Sequence, residues 1–247
     1  MSSRRDFLKV SAFASIAIIT NPSFAIASTG NSTSEDFLLG KLKPKLYGNG
    51  YRLLWSAHQA FLEMDAAARK EGMRIRVVSS YRSFNHQNLI WTRKYKKYRS
   101  RKLTPKTAVE YNIRYTAIPG SSRHHWGTEI DVVDGSIKTS RYPLSTKNFH
   151  GYGIYKDFRE WMDENAHKFG FIRVYTNDHT RKGFKYEPWH YSYAQLAKPL
   201  LREYSERDLQ NILKKQQLLG KQYFTEDFIS KYKKNNILGI NENLIGW

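Results

Sequence analysis

The chain has 247 residues, 40% of them hydrophobic and 15% aromatic, enough for one sizeable domain or a domain with an extension. It has no cysteine, which excludes a disulfide framework, a thiolate metal site and a cysteine nucleophile. Its formal charge is +19, from 41 Lys and Arg against 22 Asp and Glu, so an anionic partner or surface is expected.

The first residues read as an export signal. Ser3-Arg4-Arg5-Asp6-Phe7-Leu8-Lys9 is a twin-arginine pattern. A short apolar stretch from Val10 to Thr20 follows, and then the small-residue cleavage site Ala25-Ile26-Ala27. The apolar stretch is too short to cross a bilayer. Residues 1–27 are therefore expected to be a signal peptide cleaved after Ala27, leaving no transmembrane span in the mature chain. Such a signal implies a bacterial protein exported already folded, to the periplasm or cell envelope, and a folded passenger can take up metal before export. Arg4, Arg5 and Lys9 against Asp6 account for +2 of the charge, leaving +17 in the mature chain. In an exported protein that excess points to peptidoglycan carboxylates, anionic wall polymers or lipid headgroups, and away from nucleic acid.

Residues 28–49 read as a linker, polar over 28–36 and loop-like around Pro44 and Gly48. From Tyr51 to Lys70 the pattern is helical, with Leu54, His58, Phe61 and Leu62 on one face and Gly72 as a stop. The run from Arg74 to Ser80 alternates like a strand and delivers the segment Tyr81 to Gln87. A helix from Asn85 to Tyr98 ends in the basic run Arg93 to Lys102, a solvated helix end or a polyanion-binding surface. Residues 103–120 read as a connection ending at Pro119-Gly120. Beyond a loop over 135–150, a helix is expected from Tyr155 to Phe169, closed by Gly170, then a strand from Phe171 to Tyr175. A basic loop covers 176–184, and a strand from Lys185 to Tyr191 carries Glu187 and His190. Residues 196–247 read as a helical C-terminal extension, with helices over Asp208 to Leu219 and after the cap Thr225, and an apolar end that docks on the body.

Two stretches hold the chemistry: Ser122-Arg123-His124-His125-Trp126-Gly127-Thr128-Glu129-Ile130-Asp131, and Glu187-Pro188-Trp189-His190. His124 and Asp131 are seven residues apart. On a straight helix that is roughly 10 Å along the axis, too far for ligand bonds of about 2 Å. On a straight strand the odd spacing puts them on opposite faces. For the two to meet, the segment must bend, and Gly127 makes the bend inexpensive. Pro188 disfavours helical geometry at Glu187, so Glu187 and His190 are expected on an extended segment crossing the site. Taken singly, each residue has a plain structural reading: a packed histidine, a strand-end carboxylate, a solvated glutamate. Taken together, they supply two histidines, a carboxylate and a spare carboxylate, which is a catalytic metal set.

The pattern Ser-x-His-x-x-Gly-x-x-x-Asp, followed by Glu-x-Trp-His, resembles the M15 family of zinc D-alanyl-D-alanine carboxypeptidases, the VanY-like enzymes of the LAS peptidase group. The matching residues are Ser122, His124, Gly127 and Asp131, then Glu187, Trp189 and His190. The segment Tyr81-Arg82-Ser83 with Gln87 is similar to the stretch that follows the family's first core strand. The resemblance covers about residues 50–195. It implies an α+β domain, a small, mainly antiparallel sheet flanked by helices. It also implies one zinc ion per chain on His124, Asp131 and His190, with Glu187 as general base and acid and Arg82 steadying the oxyanion. Gln87, Ser122 and Trp189 would bind substrate, a peptidoglycan stem peptide losing its terminal D-alanine. The family often has alanine at the position of Glu129, which on a strand shares the face of Asp131 and is a competing ligand candidate. His125 and Asp134 are read as supporting or surface residues.

Other readings differ in class. The same zinc site serves a peptidoglycan endopeptidase or an L,D-carboxypeptidase. Serine catalysis lacks a Gly-x-Ser-x-Gly elbow. Other divalent metals also accept histidine and carboxylate. A non-catalytic wall-binding module would be expected to have lost a ligand or the base, and here all are present.

Overall fold

The computed structural model describes residues 33–246. The signal expected over 1–27 lies outside the described residues. Ser34 caps a four-residue helix, α1 (Glu35–Leu38), by accepting from the Phe37 amide, with Glu35 and Asp36 in its first turn. The linker expected over 28–49 thus holds, among its described residues, a buried stretch over 37–40. Phe37, Leu38 and Leu39 are buried, and the Leu38 carbonyl accepts from the Trp126 indole at 3.2 Å. Polar neighbours on both sides conceal three apolar residues large enough to anchor it.

The helix α2 (Trp55–Lys70) buries Ala57, Phe61, Met64 and Ala68, a stripe at three- and four-residue spacing. The strand β1 (Ile75–Ser79) follows, and Ser83 then caps α3 (Phe84–Ser100). The expected connection over 103–120 contains a helix, α4 (Pro105–Asn112). Thr104 caps it by accepting from the Thr107 amide, and Pro105 stands at its start. A 3-10 turn (Arg123–Trp126) closes on Gly127 at φ 70° and leads into β2 (Glu129–Asp134), all six residues of which are buried. Next come α5 (Lys156–Asn165), a further 3-10 turn (Ala166–Phe169), β3 (Phe171–Arg173) and β4 (His190–Tyr193). The strand expected over 185–191 begins at His190. Residues 187–190 instead form a turn, closed by the His190 amide to the Glu187 carbonyl at 3.3 Å. Pro188 does keep Glu187 out of a helix, but it also suits a turn.

The sheet has the order β1-β2-β4-β3, and every pairing is antiparallel. The fold is α+β, as expected. Alternation along the two central strands places Ile130 and Tyr191 on one face and Glu129, Asp131, His190 and Ser192 on the other. The apolar face contributes to a core with Phe61 and Met64 of α2 and Phe158 and Trp161 of α5.

A second core joins α1, α3 and α4 to the C-terminal helices α6 (Ala194–Glu206), α7 (Leu209–Lys215) and α8 (Glu226–Tyr232). The stretch read as an extension therefore completes the domain. Leu200, Leu201, Tyr204, Phe224 and Tyr232 are buried with Trp91 and Trp126. The helix expected over 208–219 stops at Lys215, and Thr225 caps α8 as expected.

Gly127 sits where the chain turns from the 3-10 helix into β2. A Cβ there would lie 2.9 Å from Leu46 Cδ2 and 3.3 Å from Leu54 Cγ, in addition to the left-handed backbone strain. Gly127→Ala should lower unfolding free energy by about 1–3 kcal/mol, measured by urea denaturation.

Candidate metal centre and active site

Asp131 and His190 are cross-strand partners on adjacent central strands. Their side chains leave the same sheet face. His124 reaches them from the 3-10 turn. Its Nδ1 donates to the Ser80 carbonyl at 2.7 Å, which leaves the Nε2 lone pair facing inward, 3.5 Å from Asp131 Oδ2. His190 Nδ1 lies 3.8 Å from Asp131 Oδ1. Among the described residues, His124, Asp131 and His190 form a buried group whose candidate ligand atoms all lie within 4.8 Å of one another.

These residues fit a metal ion by a specific test. His124 Nε2 and Asp131 Oδ1 are buried with no hydrogen-bond partner in the protein. Two orphaned acceptors converging on one point are costly unless a cation satisfies both. Two imidazole nitrogens and a carboxylate oxygen at this spacing suit zinc at bond lengths of about 2 Å.

Electrostatics treat the three groups differently. Burial, then the nearby Arg82 charge, lower the His124 pKa to about 4, so the ring is a neutral ligand at ordinary pH. Burial works against ionisation of Asp131, but the flanking histidines and Arg82 outweigh it and hold its pKa at about 2. His190 behaves oppositely. Burial disfavours its charge, yet Asp131, Glu129 and Glu187 raise its pKa to about 9.

Glu129 is fully buried and is not a competing ligand. Its Oε2 lies 3.0 Å from His190 Nε2, on the side of the ring away from the metal-facing Nδ1. Its Oε1 accepts from Ser192 Oγ at 2.6 Å, Thr128 Oγ1 at 3.0 Å and Arg123 Nη2 at 3.2 Å. Arg123 and the His190 bonds overcome burial and keep Glu129 ionised. A carboxylate on the far nitrogen fixes the tautomer and orientation of a ligating histidine. Strand register carries the reason: Glu129 pairs with Ser192, one step along the same face from Asp131 and His190.

Glu187 holds the other side of His190, with Oε2 3.0 Å from Nδ1, and it is partly open to the cleft, its side chain 20% exposed. Arg82 enters after β1. Its amide donates to the His124 carbonyl at 2.9 Å and its carbonyl accepts from His125 Nδ1 at 2.6 Å. Its guanidinium donates to Gln87 Oε1 at 2.8 Å, and Gln87 Nε2 donates to the Ala117 carbonyl. Gln87 is fully buried and does not line the cleft. Both ends of its amide are bonded within the protein, one of them to the Arg82 guanidinium.

The cleft above these groups has a volume of about 530 Å³, with Ser122, Trp189 and Tyr175 in its walls. Trp189 packs on Phe149. Tyr175, which the sequence did not single out, stands edge-on to His190 at 5.1 Å, and its hydroxyl is kept protonated by burial and by the Glu187 charge. His125 is buried structure, accepting from the Gly120 amide at 3.1 Å. Asp134 accepts from the Ser136 amide and hydroxyl at the end of β2.

A family model described as VanY, D-alanyl-D-alanine carboxypeptidase, matches residues 51–196. The chain belongs to the VanY family. Over 147 residues it is 32% identical to a D-alanyl-D-alanine carboxypeptidase of Enterococcus faecalis, covering 59% of this chain and 50% of the relative. Over 139 residues it is 33% identical to a putative carboxypeptidase of Bacillus subtilis, covering 56% and 45%. The chain thus spans about half the length of these two curated relatives. It is similar in structure to a mutant of VanY, a vancomycin resistance D,D-pentapeptidase, in complex with Zn(II). The TM-score is 0.50 and the identity 26%, covering 75% of this chain and 91% of that one. It is also similar to VanYB in complex with D-alanine-D-alanine, with TM-score 0.51, identity 25% and coverage of 71% and 90%.

Two measurements test this description. Glu129→Ala leaves Arg123 buried without its carboxylate and should cost about 3–5 kcal/mol of stability, and zinc affinity by chelator competition should fall about 10–100-fold. The pH dependence follows from His190. Its folded pKa lies above its unfolded value, so in chelator-stripped protein the stabilisation it gives is full below about 6.5 and is lost as pH rises through about 9. Zinc must displace that proton, so zinc affinity should rise about tenfold per pH unit between about 7 and 9. Titrations at several pH values check the slope.

Proposed function

We propose that the protein is a zinc D,D-carboxypeptidase that removes the terminal D-alanine from peptidoglycan stem peptides. The observation that carries this reading is the convergence of His124 Nε2, Asp131 and His190 Nδ1, with Glu187 beside them and open to a cleft. The solved relatives support it, one bound to Zn(II) and one to D-alanine-D-alanine. One zinc ion per chain is proposed, since the three ligands form one group.

When bound, zinc supplies a water of lowered pKa and polarises the scissile carbonyl. The chain's own residues do the rest. Glu187 takes the proton from the attacking water and delivers it to the departing amine. Arg82, fixed by Gln87, faces the carbonyl oxygen as it gains charge and neutralises it. Glu129 keeps the His190 ring from rotating. Ser122 and Trp189 border the bound peptide.

Residues 1–27 are proposed to direct twin-arginine export, which puts the enzyme where its substrate is assembled into wall. The charge of the mature chain then favours residence near anionic envelope polymers.

Product analysis by mass spectrometry tests the activity. Pentapeptide should lose one alanine, a chelator should abolish the loss, and zinc should restore it. Cleavage confined to crosslinked or tetrapeptide substrates would replace the reading with an endopeptidase or an L,D-carboxypeptidase. Glu187→Ala should lower kcat about 10²–10⁴-fold with zinc still bound, a result that a wall-binding module would not give.

A further inference from the structure

Lys94 has no part in the chemistry above. It sits on α3, two turns beyond Gln87, and lines the same cleft as the metal ligands. Its ammonium is held in place by Thr116 Oγ1 at 2.5 Å and the Tyr115 carbonyl at 3.3 Å. Tyr98 and Tyr115 line the cleft near it. Among the described residues no carboxylate lies within ion-pair distance of Lys94; the other lysine ion pairs are on exposed helix surfaces.

The surroundings make this an uncompensated charge. Burial lowers its pKa, Glu187 opposes the shift, and Arg82, Arg93 and Lys97 add repulsion. A half-buried ammonium with two neutral acceptors and no counter-ion costs free energy that an arriving anion recovers. Thr116 and Tyr115 also restrict it, so little rotamer entropy is left to lose on binding. The cleft is therefore polarised, with Asp131 and Glu187 at the metal and a fixed cation to one side.

Resting on the carboxypeptidase reading, we propose that Lys94 is the carboxylate-binding cation of the cleft and makes a free peptide carboxylate a requirement for tight binding. The carboxylate is the C-terminus of the departing residue or a side-chain carboxylate elsewhere on the stem peptide; both present the same chemistry. A crosslinked substrate with its terminal carboxylate in an amide linkage leaves Lys94 unpaired and binds less well.

The test uses the full zinc-loaded protein and three variants, Lys94→Met, Lys94→Arg and Lys97→Ala. Lys97 lies on the exposed side of α3 and controls for general attraction of anions. The substrates are an acyl-D-alanyl-D-alanine peptide, its C-terminal amide, and both forms with a side-chain carboxylate on the preceding residue. Zinc content and melting temperature are measured alongside. Lys94→Met should raise KM for the free acid about 10–100-fold while kcat changes little, the loss of one charge-assisted hydrogen bond. Lys94→Arg should keep most of the affinity and Lys97→Ala should match wild type. If the terminal carboxylate is the partner, the amide has the raised KM already in wild type and Lys94→Met adds nothing. If a side-chain carboxylate is the partner, the penalty follows its presence instead. Equal penalties on all substrates, or no penalty on any, overturn the assignment of Lys94 while wild-type turnover keeps the carboxypeptidase reading. A zinc-loaded wild type that cleaves none of these peptides overturns both.

Discussion

Asp131 and His190 face each other across two antiparallel strands, and the rest of the centre is built outward from that pair. Antiparallel partners project from the same sheet face at a separation set by the backbone ladder, so two ligands are placed without any help from loops. A slip of one residue in this register would turn one of the two side chains into the apolar core and separate the pair. The third ligand then needs only one bend, and the left-handed Gly127 provides it. Precision in the centre thus comes from sheet hydrogen bonds, the least deformable part of the molecule.

The same register explains why so much charge is tolerated inside. Glu129, Asp131, His190 and Ser192 are all buried on one face, a polar inner surface where a sheet normally offers an apolar one. Each buried charge has an opposite partner or hydrogen bonds: Arg123 for Glu129, and the two histidines and Arg82 for Asp131. Such networks stabilise only when complete. Among the described residues, His124 Nε2 and Asp131 Oδ1 are buried acceptors without a partner, and both look toward the metal position.

Much of this was legible in the sequence. The spacing of His124, Gly127 and Asp131 required a bend, and the structure has it. The strand and helix types follow from periodicity for α2, β1, α3, β2 and α5. What escaped has physical causes. Three apolar residues at Phe37 to Leu39 are too few for a periodic signal, yet the cap at Ser34 was readable. The cap Thr104 followed by Pro105 also marked α4 inside what seemed a connection. Pro188 was compatible with an extended chain or a turn, and only the register of β4 decides between them. Glu129 was correctly placed on the face of Asp131, but which atom of His190 it meets depends on a cross-strand partner that sequence does not display. Gln87 is buried with its amide bonded to Arg82 and the Ala117 carbonyl, the second of which lies far from it in sequence and carries no local signal.

The loop that carries the chain into His124 is fastened from far away. Tyr232 Oη accepts from the Ile118 amide and bonds Ser121 Oγ, and Tyr204 donates to the Gly120 carbonyl. The first of these contacts spans 114 residues of sequence. Contacts that distant form late, because a long loop must close before they can be made. Both anchoring tyrosines, Tyr204 and Tyr232, lie beyond the second motif in sequence. The approach to His124 is therefore held from outside the two motifs, and damage to the helices that carry Tyr204 and Tyr232 would loosen the active site without touching a ligand.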